Sequence, residues 1–400
     1  MKKSNLDHWI ETTEHIPHLT RQALENLQLE KLNALLARCR REDLPKSVSS
    51  LDEVQQLPFT TPQMLAQSPG KFLLTSQSQV SRVISGATSG TTGPAKRVFY
   101  TQQDTAHTVG FFAAGISEML APGERCFIAF PFSGPFGLGD LIAQAVEQLG
   151  GIPIRAGFGQ SWQAHLARIA ETQPQTYIGF PQPLLTLCRL YGPDFPIQRA
   201  LVSGDACPAG VMQALESSLH SRLFPHYGSR ECGLGGAVTC PAFSGMHLRE
   251  NHILPEIIDS QGRVLPQGAY GELVITTIGL EAMPLIRYRT GDFTRLLPPC
   301  PCGSVTRRID TVSRREGPVS MEALDSALFP LPALADYQAS LGRELAIDAR
   351  TLAPGLEDAL AEKVQALYPN IPVQIRTAPI HPEDVPLYLG KRHIRPGPQT

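Results

Sequence analysis

Apolar runs alternate with amphipathic segments between residues 125 and 238, and this alternation restricts the fold more than any other feature of the chain. The runs are short enough for strands, and the segments between them have the periodicity of helices. The runs lie at residues 126–130, 177–180 and 200–202, and the segments at 139–149, 161–172 and 208–219. Alternation of this kind predicts βαβ units and a mainly parallel sheet flanked by helices, which is an α/β fold.

The rest of the chain divides around this region. Residues 4–45 contain leucines at roughly helical spacing, and residues 253–297 are rich in β signals, with the clearest strand at 273–277. The composition changes near residue 313 to a small section rich in Ala, Leu and Pro. We therefore predict a large domain over residues 1–312, which includes a β-rich subdomain, and a small α+β domain over residues 313–400.

Composition excludes several classes of function. A chain of 400 residues with 42% hydrophobic content can bury a large core. A net charge of −2 gives no general attraction to nucleic acid or to a membrane surface. Polar residues follow Met1, Lys2 and Lys3 where a signal peptide would be apolar, and no apolar stretch approaches the ~20 residues that span a bilayer. We expect a soluble, cytoplasmic protein with no nucleic-acid or membrane partner.

A hydroxyl- and glycine-rich segment follows a strand-like run at residues 80–84. Glycines allow a backbone to turn its N–H groups inward, and hydroxyls add further donors. Such a loop binds anions with several oxygens, although an ordinary surface loop has a similar composition. The spacing is not that of a Walker A loop. The candidate phosphate-binding residues are Thr88, Ser89, Gly90, Thr91, Thr92, Gly93 and Lys96.

Two further clusters contain candidate nucleotide-binding groups. In the first, an apolar run leads into a turn with Tyr227, Gly228, Arg230 and Glu231. The aromatic ring can stack on a base and the carboxylate can hold Mg²⁺, although a Tyr-Gly turn with a nearby Glu also occurs by chance. In the second, a strand-like segment ends in Thr-Gly-Asp at Asp292, whose carboxylate can accept both hydroxyls of a ribose.

Together these three clusters resemble the adenylate-forming superfamily of acyl-CoA synthetases, and in particular its phenylacetate-CoA ligase-like branch. The resemblance covers roughly residues 50–320 and includes 57–61, 85–96, 203–205 and the run from 226 to 303. It implies an enzyme that uses ATP and Mg²⁺ to convert a carboxylic acid into an acyl-adenylate, with release of pyrophosphate. Transfer of the acyl group to CoA, with release of AMP, would follow.

The resemblance also implies roles for individual residues. The loop at 88–96 would hold the β- and γ-phosphates of ATP, and Asp292 would bind the ribose. The adenine would lie between Tyr227 and the segment Ser203, Gly204 and Asp205, and Glu231 would bind Mg²⁺. The resemblance implies that the domain over residues 313–400 is mobile and carries Lys391 as the catalytic lysine, which would neutralise charge at the α-phosphate. The alternative for Lys391 is a solvated residue of a basic tail.

Three features depart from the family pattern. Arg230 stands where the family usually has a threonine that contacts the adenylate phosphate, and arginine is far larger. Arg314 is kept as a candidate ribose-binding residue, but the acidic residues of the hinge are less clear. The section after residue 317 is also shorter than the family's mobile domain.

A cysteine pair suggests a metal site outside the nucleotide motifs. Cys300 and Cys302 flank one proline, and Cys240 and His247 lie on an apparent hairpin upstream. Three cysteines and one histidine suit a closed, tetrahedral structural Zn²⁺ site near residues 240–303. The alternative is a pair of free thiols in a turn.

The acid and the acyl acceptor are less well specified. Residues 130–137 contain aromatic side chains that could line a pocket for a small carboxylic acid, aromatic or short, or could simply be core. Instead of CoA, the acceptor could be a carrier-protein thiol or an amine. A third hypothesis, motivated by Arg230 and the short C-terminal section, is a non-catalytic nucleotide-binding module. A homodimer is left open as the assembly state.

Overall fold

The computed structural model describes residues 4–86, 96–134, 137–314 and 317–397. The α-helices in these ranges are α1 (Asn5–Thr13), α2 (Arg21–Arg38), α3 (Pro62–Gln67), α4 (Gln102–Ile116), α5 (Leu138–Gln148), α6 (Trp162–Thr172), α7 (Pro181–Tyr191), α8 (Ala209–Leu219), α9 (Met321–Leu328) and α10 (Glu357–Leu367). None of these helices combines the length and the apolar character that a membrane crossing requires.

The same ranges contain nineteen β-strands. They are β1 (Arg82–Gly86), β2 (Lys96–Tyr100), β3 (Arg125–Ala129), β4 (Ile152–Arg155), β5 (Thr176–Gly179), β6 (Arg199–Val202), β7 (Phe224–Tyr227), β8 (Ala237–Thr239), β9 (Met246–Leu248), β10 (Ile253–Ile258), β11 (Gly271–Thr277), β12 (Tyr288–Thr294), β13 (Leu296–Leu297), β14 (Arg308–Ile309), β15 (Ser313–Arg314), β16 (Leu334–Leu341), β17 (Leu345–Thr351), β18 (Val373–Pro379) and β19 (Arg395–Pro396).

The chain forms two compact units. Unit 1 contains Met1–Glu118 and His226–Arg315, and unit 2 contains Met119–Pro225 and Glu316–Thr400. The C-terminal residues therefore share a unit with the middle of the chain. The mobile domain over residues 313–400 remains a prediction.

Unit 2 contains the parallel sheet that the alternating pattern predicts. Strand β3 pairs in parallel with β4 and with β5, β5 pairs with β6, and β6 pairs with the first two residues of β7. Every residue of β5 is buried, as expected for a strand in a parallel sheet with both faces covered. The predicted α/β class is confirmed.

A second sheet in unit 2 has the strand order β18-β17-β16-β19. Residues of this second sheet share one hydrophobic core with the parallel sheet and with the helices of unit 2. Leu184, Leu215 and Leu324 are fully buried in that core. Helices α8 and α9 pack very closely, because a Cβ atom on Gly210 would lie 1.9 Å from the carbonyl oxygen of Ser326. The position therefore requires glycine.

Unit 1 is built on antiparallel sheets. One has the order β10-β11-β12-β15, and β11 is buried along its whole length. The strand predicted at residues 273–277 lies within β11. The second half of β7 pairs with β8, and the strands beyond β8 follow in the order β9, β14 and β13. The N-terminal helices predicted by the leucine spacing are α1 and α2, and Thr20 caps α2 by accepting a hydrogen bond from the N–H of Ala23.

Candidate functional site

Glu231 lies at the centre of a buried polar cluster in unit 1. It belongs to a short 3₁₀ turn, Arg230–Cys232, that follows β7. Lys96, the first residue of β2, places its Nζ 2.5 Å from Oε1 of Glu231 and donates to the hydroxyl of Tyr288 over 2.9 Å. The Tyr288 hydroxyl in turn donates to the same Oε1 over 3.2 Å. Strands β2, β12 and the turn after β7 therefore meet at one carboxylate.

The Lys96 ammonium keeps Glu231 ionised. Burial alone would raise the pKa of Glu231, but the charge of Lys96 and its hydrogen bond outweigh burial, so the pKa lies below its ordinary value. The result is a buried carboxylate that remains anionic at neutral pH. An ionised carboxylate oxygen is the ligand type that Mg²⁺ prefers, so Glu231 fits the metal-binding role predicted for it.

Asp292 forms the second cluster of unit 1. Its Oδ2 accepts a hydrogen bond from the hydroxyl of Tyr227 over 2.8 Å, and its Oδ1 accepts one from Nε of Arg314 over 2.8 Å. Asp292 and Arg314 are opposite each other in the β12–β15 register. Asp292 lies within β12 and not in the tight turn that the sequence suggested, and Gly291 has a φ of +73° where the β11–β12 register is irregular. Each carboxylate oxygen keeps capacity for a further hydrogen bond.

The Glu231 cluster and the Asp292 cluster both draw residues from β12 and from the end of β7 with the turn after it. Tyr227 and Glu231 lie at the end of β7 and in the turn after it, whereas Tyr288 and Asp292 both lie on β12. Strands β1 and β2 pair with Gly86 opposite Lys96, so the two described residues that border the predicted phosphate loop are neighbours. The candidate residues Thr88 to Gly93 themselves lie outside the described residues.

Gly228 and Arg230 occupy the turn between Tyr227 and Glu231. A Cβ atom on Gly228 would lie 2.0 Å from the carbonyl oxygen of Leu234, so close backbone packing requires glycine there. The backbone carbonyl of Arg230 accepts a hydrogen bond from the hydroxyl of Tyr100, and the Arg230 side chain is half-buried. The phosphate contact of Arg230 remains a prediction.

The predicted adenine segment and the predicted catalytic lysine lie together in unit 2. Ser203, Gly204 and Asp205 follow β6, and a Cβ atom on Gly204 would lie 2.7 Å from the ring of Phe180. The carboxylate of Asp205 accepts from the backbone N–H of Arg392 over 2.8 Å, which places exposed Lys391 next to this segment. Burial raises the pKa of Asp205, and the positive charges of Arg392 and Lys391 oppose that rise only in part.

Sequence reasoning missed the residue that anchors this loop. The Arg392 side chain is 5% exposed, and its Nε donates to both oxygens of Asp325 over 3.1 Å. Nη1 donates to Asp336 over 3.0 Å, and Nη2 to the carbonyl of Tyr337 over 2.8 Å. Asp336 also accepts from the N–H of Leu387 over 2.9 Å, which holds the other end of the loop. No local spacing signals this network, because the acids lie 67 and 56 residues upstream of Arg392.

The three cysteines and the histidine of the predicted zinc site form one buried cluster. The candidate ligand atoms of Cys240, His247, Cys300 and Cys302 lie within 4.8 Å of one another. The sulfurs of Cys240 and Cys300 are 3.7 Å apart, and Cys302 Sγ is 3.5 Å from Nε2 of His247. Nδ1 of His247 is 2.9 Å from the hydroxyl of Thr306, so that contact orients the ring with Nε2 toward the sulfurs.

Comparison with known proteins identifies related chains. The family described as AMP-binding enzyme matches residues 48–282. Phenylacetate-coenzyme A ligase of Aromatoleum evansii is 34% identical over 267 residues, which are 64% of this chain and 60% of that enzyme. The enzyme of the same name from Escherichia coli (strain K12) is 32% identical over 290 residues, 68% of this chain and 63% of that enzyme. The chain therefore matches less than two thirds of the length of these relatives.

Solved structures share the fold. A 2-hydroxyisobutyryl-CoA ligase in the postadenylation state superposes with a TM-score of 0.76 at 17% identity, covering 91% of this chain and 88% of that one. A benzoate CoA ligase from Burkholderia xenovorans LB400 gives a TM-score of 0.52 at 17% identity, covering 74% of this chain and 65% of that one. At this identity the likeness concerns the fold alone.

Proposed function

The chain belongs to the AMP-binding enzyme family, and on that premise we propose that it is an AMP-forming acid–CoA ligase. It would activate a small carboxylic acid with ATP and Mg²⁺ to an acyl-adenylate, release pyrophosphate and transfer the acyl group to CoA. An aromatic acid is the first candidate, because the related enzymes are named phenylacetate-coenzyme A ligases. The predicted family membership is confirmed; the substrate and the acceptor are the proposal.

One observation supports the proposal most directly. The Glu231–Lys96 cluster and the Asp292–Tyr227 cluster both belong to unit 1, and each combines a residue from the end of β7 or the turn after it with a residue of β12. The first cluster offers a cation and an ionised carboxylate, which suit a triphosphate with its metal. The second offers a buried carboxylate held by two donors, which suits a pair of ribose hydroxyls.

Each residue then has a defined task. Asp292, held by Tyr227 and Arg314, would accept the ribose hydroxyls, and Lys96 would neutralise phosphate charge at the base of the 88–96 loop. Glu231 would hold Mg²⁺, whose chemistry is to neutralise charge on the triphosphate. Lys391 would place its ammonium near the attacking carboxylate and the α-phosphate. Positioning and charge stabilisation supply most of the rate in a step of this kind.

Exchange of labelled pyrophosphate into ATP, measured over a panel of small aromatic and aliphatic acids, tests the proposal. We expect acid-dependent exchange with at least one acid and faster AMP release when CoA is added. Exchange that CoA does not accelerate would indicate a carrier-protein thiol or an amine as acceptor. ATP binding with no exchange for any acid would contradict the ligase proposal and favour a nucleotide-binding module.

Asparagine at position 292 is expected to weaken ATP binding. The change Asp292→Asn removes the negative charge of the carboxylate, whose oxygens accept hydrogen bonds from Tyr227 and Arg314. Hydrogen bonds to charged groups contribute about 1.5–3 kcal/mol. We therefore expect the KM for ATP to rise by about tenfold to a hundredfold in the exchange assay. Asp310→Asn, which removes a carboxylate that pairs with Arg295, is the matched control. An unchanged KM in Asp292→Asn would refute the ribose assignment.

We also propose that the Cys240–His247–Cys300–Cys302 cluster binds a structural Zn²⁺ ion. Zinc–sulfur bonds of about 2.3 Å in a tetrahedron separate two sulfurs by about 3.8 Å. The Cys240–Cys300 separation of 3.7 Å therefore matches the spacing of two zinc-bound sulfurs. The cluster joins the turn after β8, strand β9 and the 300–302 turn, so the ion would connect three segments of unit 1.

Metal analysis tests the zinc proposal. We expect about one zinc per purified chain, a much lower content in Cys302→Ser, and a lower unfolding temperature for that variant, since structural zinc contributes to folding. Cys39→Ser, at a buried cysteine outside the cluster, is the control and should keep its zinc. Less than about a tenth of a zinc per wild-type chain would rule the site out.

Cytoplasmic location and assembly as a homodimer remain predictions. Cell fractionation and the solution mass of the purified protein measure them directly.

A further inference from the structure

A buried arginine of unit 1 has no hydrogen-bond acceptor among the residues that the structure describes. Arg249 follows β9 and is 1% exposed, and its Nε, Nη1 and Nη2 atoms all lack a partner there. The guanidinium packs against two aromatic rings, with its carbon 5.4 Å from the centroid of Trp9 and 5.3 Å from that of Phe111. The rings stabilise the charge through cation–π contact, but they accept none of its N–H groups in the ordinary way.

Three further residues of this region carry buried polar atoms that make no hydrogen bond to a described residue. Both ring nitrogens of His252, Nδ1 of His107 and Oδ1 of Asn251 are buried and make no hydrogen bond to a described residue. Oε1 of Glu14 lies 3.9 Å from Nε2 of His252, beyond hydrogen-bond distance. The rings of His107 and His252 are 4.9 Å apart and nearly perpendicular. His252 is 3% exposed and Asn251 is fully buried. Buried donors and acceptors without hydrogen bonds thus lie on Arg249 and on these three residues, and leaving such groups unsatisfied costs free energy at each of them.

The acids near Arg249 are committed to other partners. Glu14 accepts from Lys31 over 2.7 Å and from the side-chain amide of Asn251 over 2.7 Å. Asp104 accepts backbone N–H groups at residues 101, 281 and 282. No ion pair to Arg249 occurs in the described part of the chain, so water could satisfy the hydrogen bonds but would leave the guanidinium without a direct counter-charge.

We propose that Arg249, with His252 and His107, forms a buried binding site for a small monovalent anion, either a halide or a single carboxylate group. The anion would accept the guanidinium N–H groups and an imidazole N–H. Gly233 borders the site, because a Cβ atom there would lie 3.7 Å from Nη1 of Arg249. Since Gly233 follows Cys232 and Glu231, the anion would brace the turn that carries Glu231. The proposal does not depend on the ligase activity.

Anomalous diffraction tests the site on the full-length wild-type protein. Crystals grown in sodium bromide should show an anomalous peak within hydrogen-bond distance of the Arg249 guanidinium, and crystals grown in sodium acetate distinguish a carboxylate from a halide. A peak in bromide, or carboxylate-shaped density in acetate, supports the site. Density that fits water alone in both salts overturns the proposal.

Thermal unfolding gives a second measurement in solution. An anion at about ten times its dissociation constant should raise the unfolding temperature by about 2–4 °C in wild type. We expect Arg249→Met to lose this increment, while Arg263→Met, at an exposed arginine of the same unit, keeps it. Comparing the variants in the same salts cancels general salt effects. If Arg249→Met does not fold, Arg249→Lys replaces it in the unfolding measurement, and the crystals provide the second test. Equal salt responses of the unfolding temperature in wild type and Arg249→Lys, together with density that fits water alone, would contradict the site.

Discussion

Replacement of Lys391 by alanine is expected to lower the rate of acyl-adenylate formation by about 10²–10³-fold while ATP still binds. The ammonium is predicted to neutralise charge that develops as the carboxylate oxygen attacks the α-phosphate. Its loss should therefore raise the barrier of the first half-reaction. The lysine is exposed beside Asp205 on a loop that hydrogen bonds hold at both ends, so alanine should not disturb the fold.

Two assays separate this role from a general defect. Pyrophosphate exchange measures adenylation, and transfer from a synthetic acyl-adenylate to CoA measures the second half-reaction, which we expect to persist in Lys391→Ala. Lys363→Ala, on α10 of the same unit, is the matched control and should behave as wild type in both. Normal exchange in Lys391→Ala would refute the assignment and favour the solvated-tail alternative.

Replacement of Arg392 by methionine should destabilise unit 2 by about 3–5 kcal/mol at neutral pH. The change would leave Asp325 and Asp336 buried without their shared cation. Burial already raises the pKa of Asp325 to about 6 with Arg392 present, and removing the arginine should raise it further. An acid with a raised folded-state pKa favours folding when it is protonated, so the loss of stability should be smaller at pH 5 than at pH 8.

Denaturant unfolding at both pH values measures this effect. Arg376→Met, which removes an exposed arginine paired with Asp348, is the control and should cost little. The triple change Asp325→Asn, Asp336→Asn and Arg392→Met should recover much of the stability, because no buried charge is left unpaired. Equal unfolding free energies for Arg392→Met and Arg376→Met would contradict the anchoring role.

The same variant tests whether Arg392 positions Lys391. Cleavage after Lys391 by a lysine-specific protease should be slow in wild type, because the loop is anchored through Asp205 and Asp336, and faster in Arg392→Met at pH 5, where the protein remains folded. Adenylation should fall in parallel, whereas ATP binding should not. Unchanged cleavage with reduced adenylation would instead indicate a direct contact of Arg392 with substrate.

Much of the fold and the choice of candidate residues could be predicted from local patterns. The alternation over residues 125–238 corresponds to β3 to β8 and the helices between them, because strand and helix periodicity reflect which faces are buried. The aromatic and acidic residues at 227, 231 and 292 stood out by their position in turns after apolar runs. Their meeting on β7 and β12 could not be read from spacing, because it depends on strand order.

The sequence by itself determined which segments form strands and helices and which short stretches offer hydroxyls, thiolates or carboxylates, since these properties reside in neighbouring residues. Only the tertiary structure decided which distant groups share a site: Lys96 with Glu231, Cys240 and His247 with Cys300 and Cys302, and Arg392 with Asp325 and Asp336. Pairing over such separations is selected by the free energy of burying whole surfaces. A buried charge then persists only where the resulting arrangement supplies its partner.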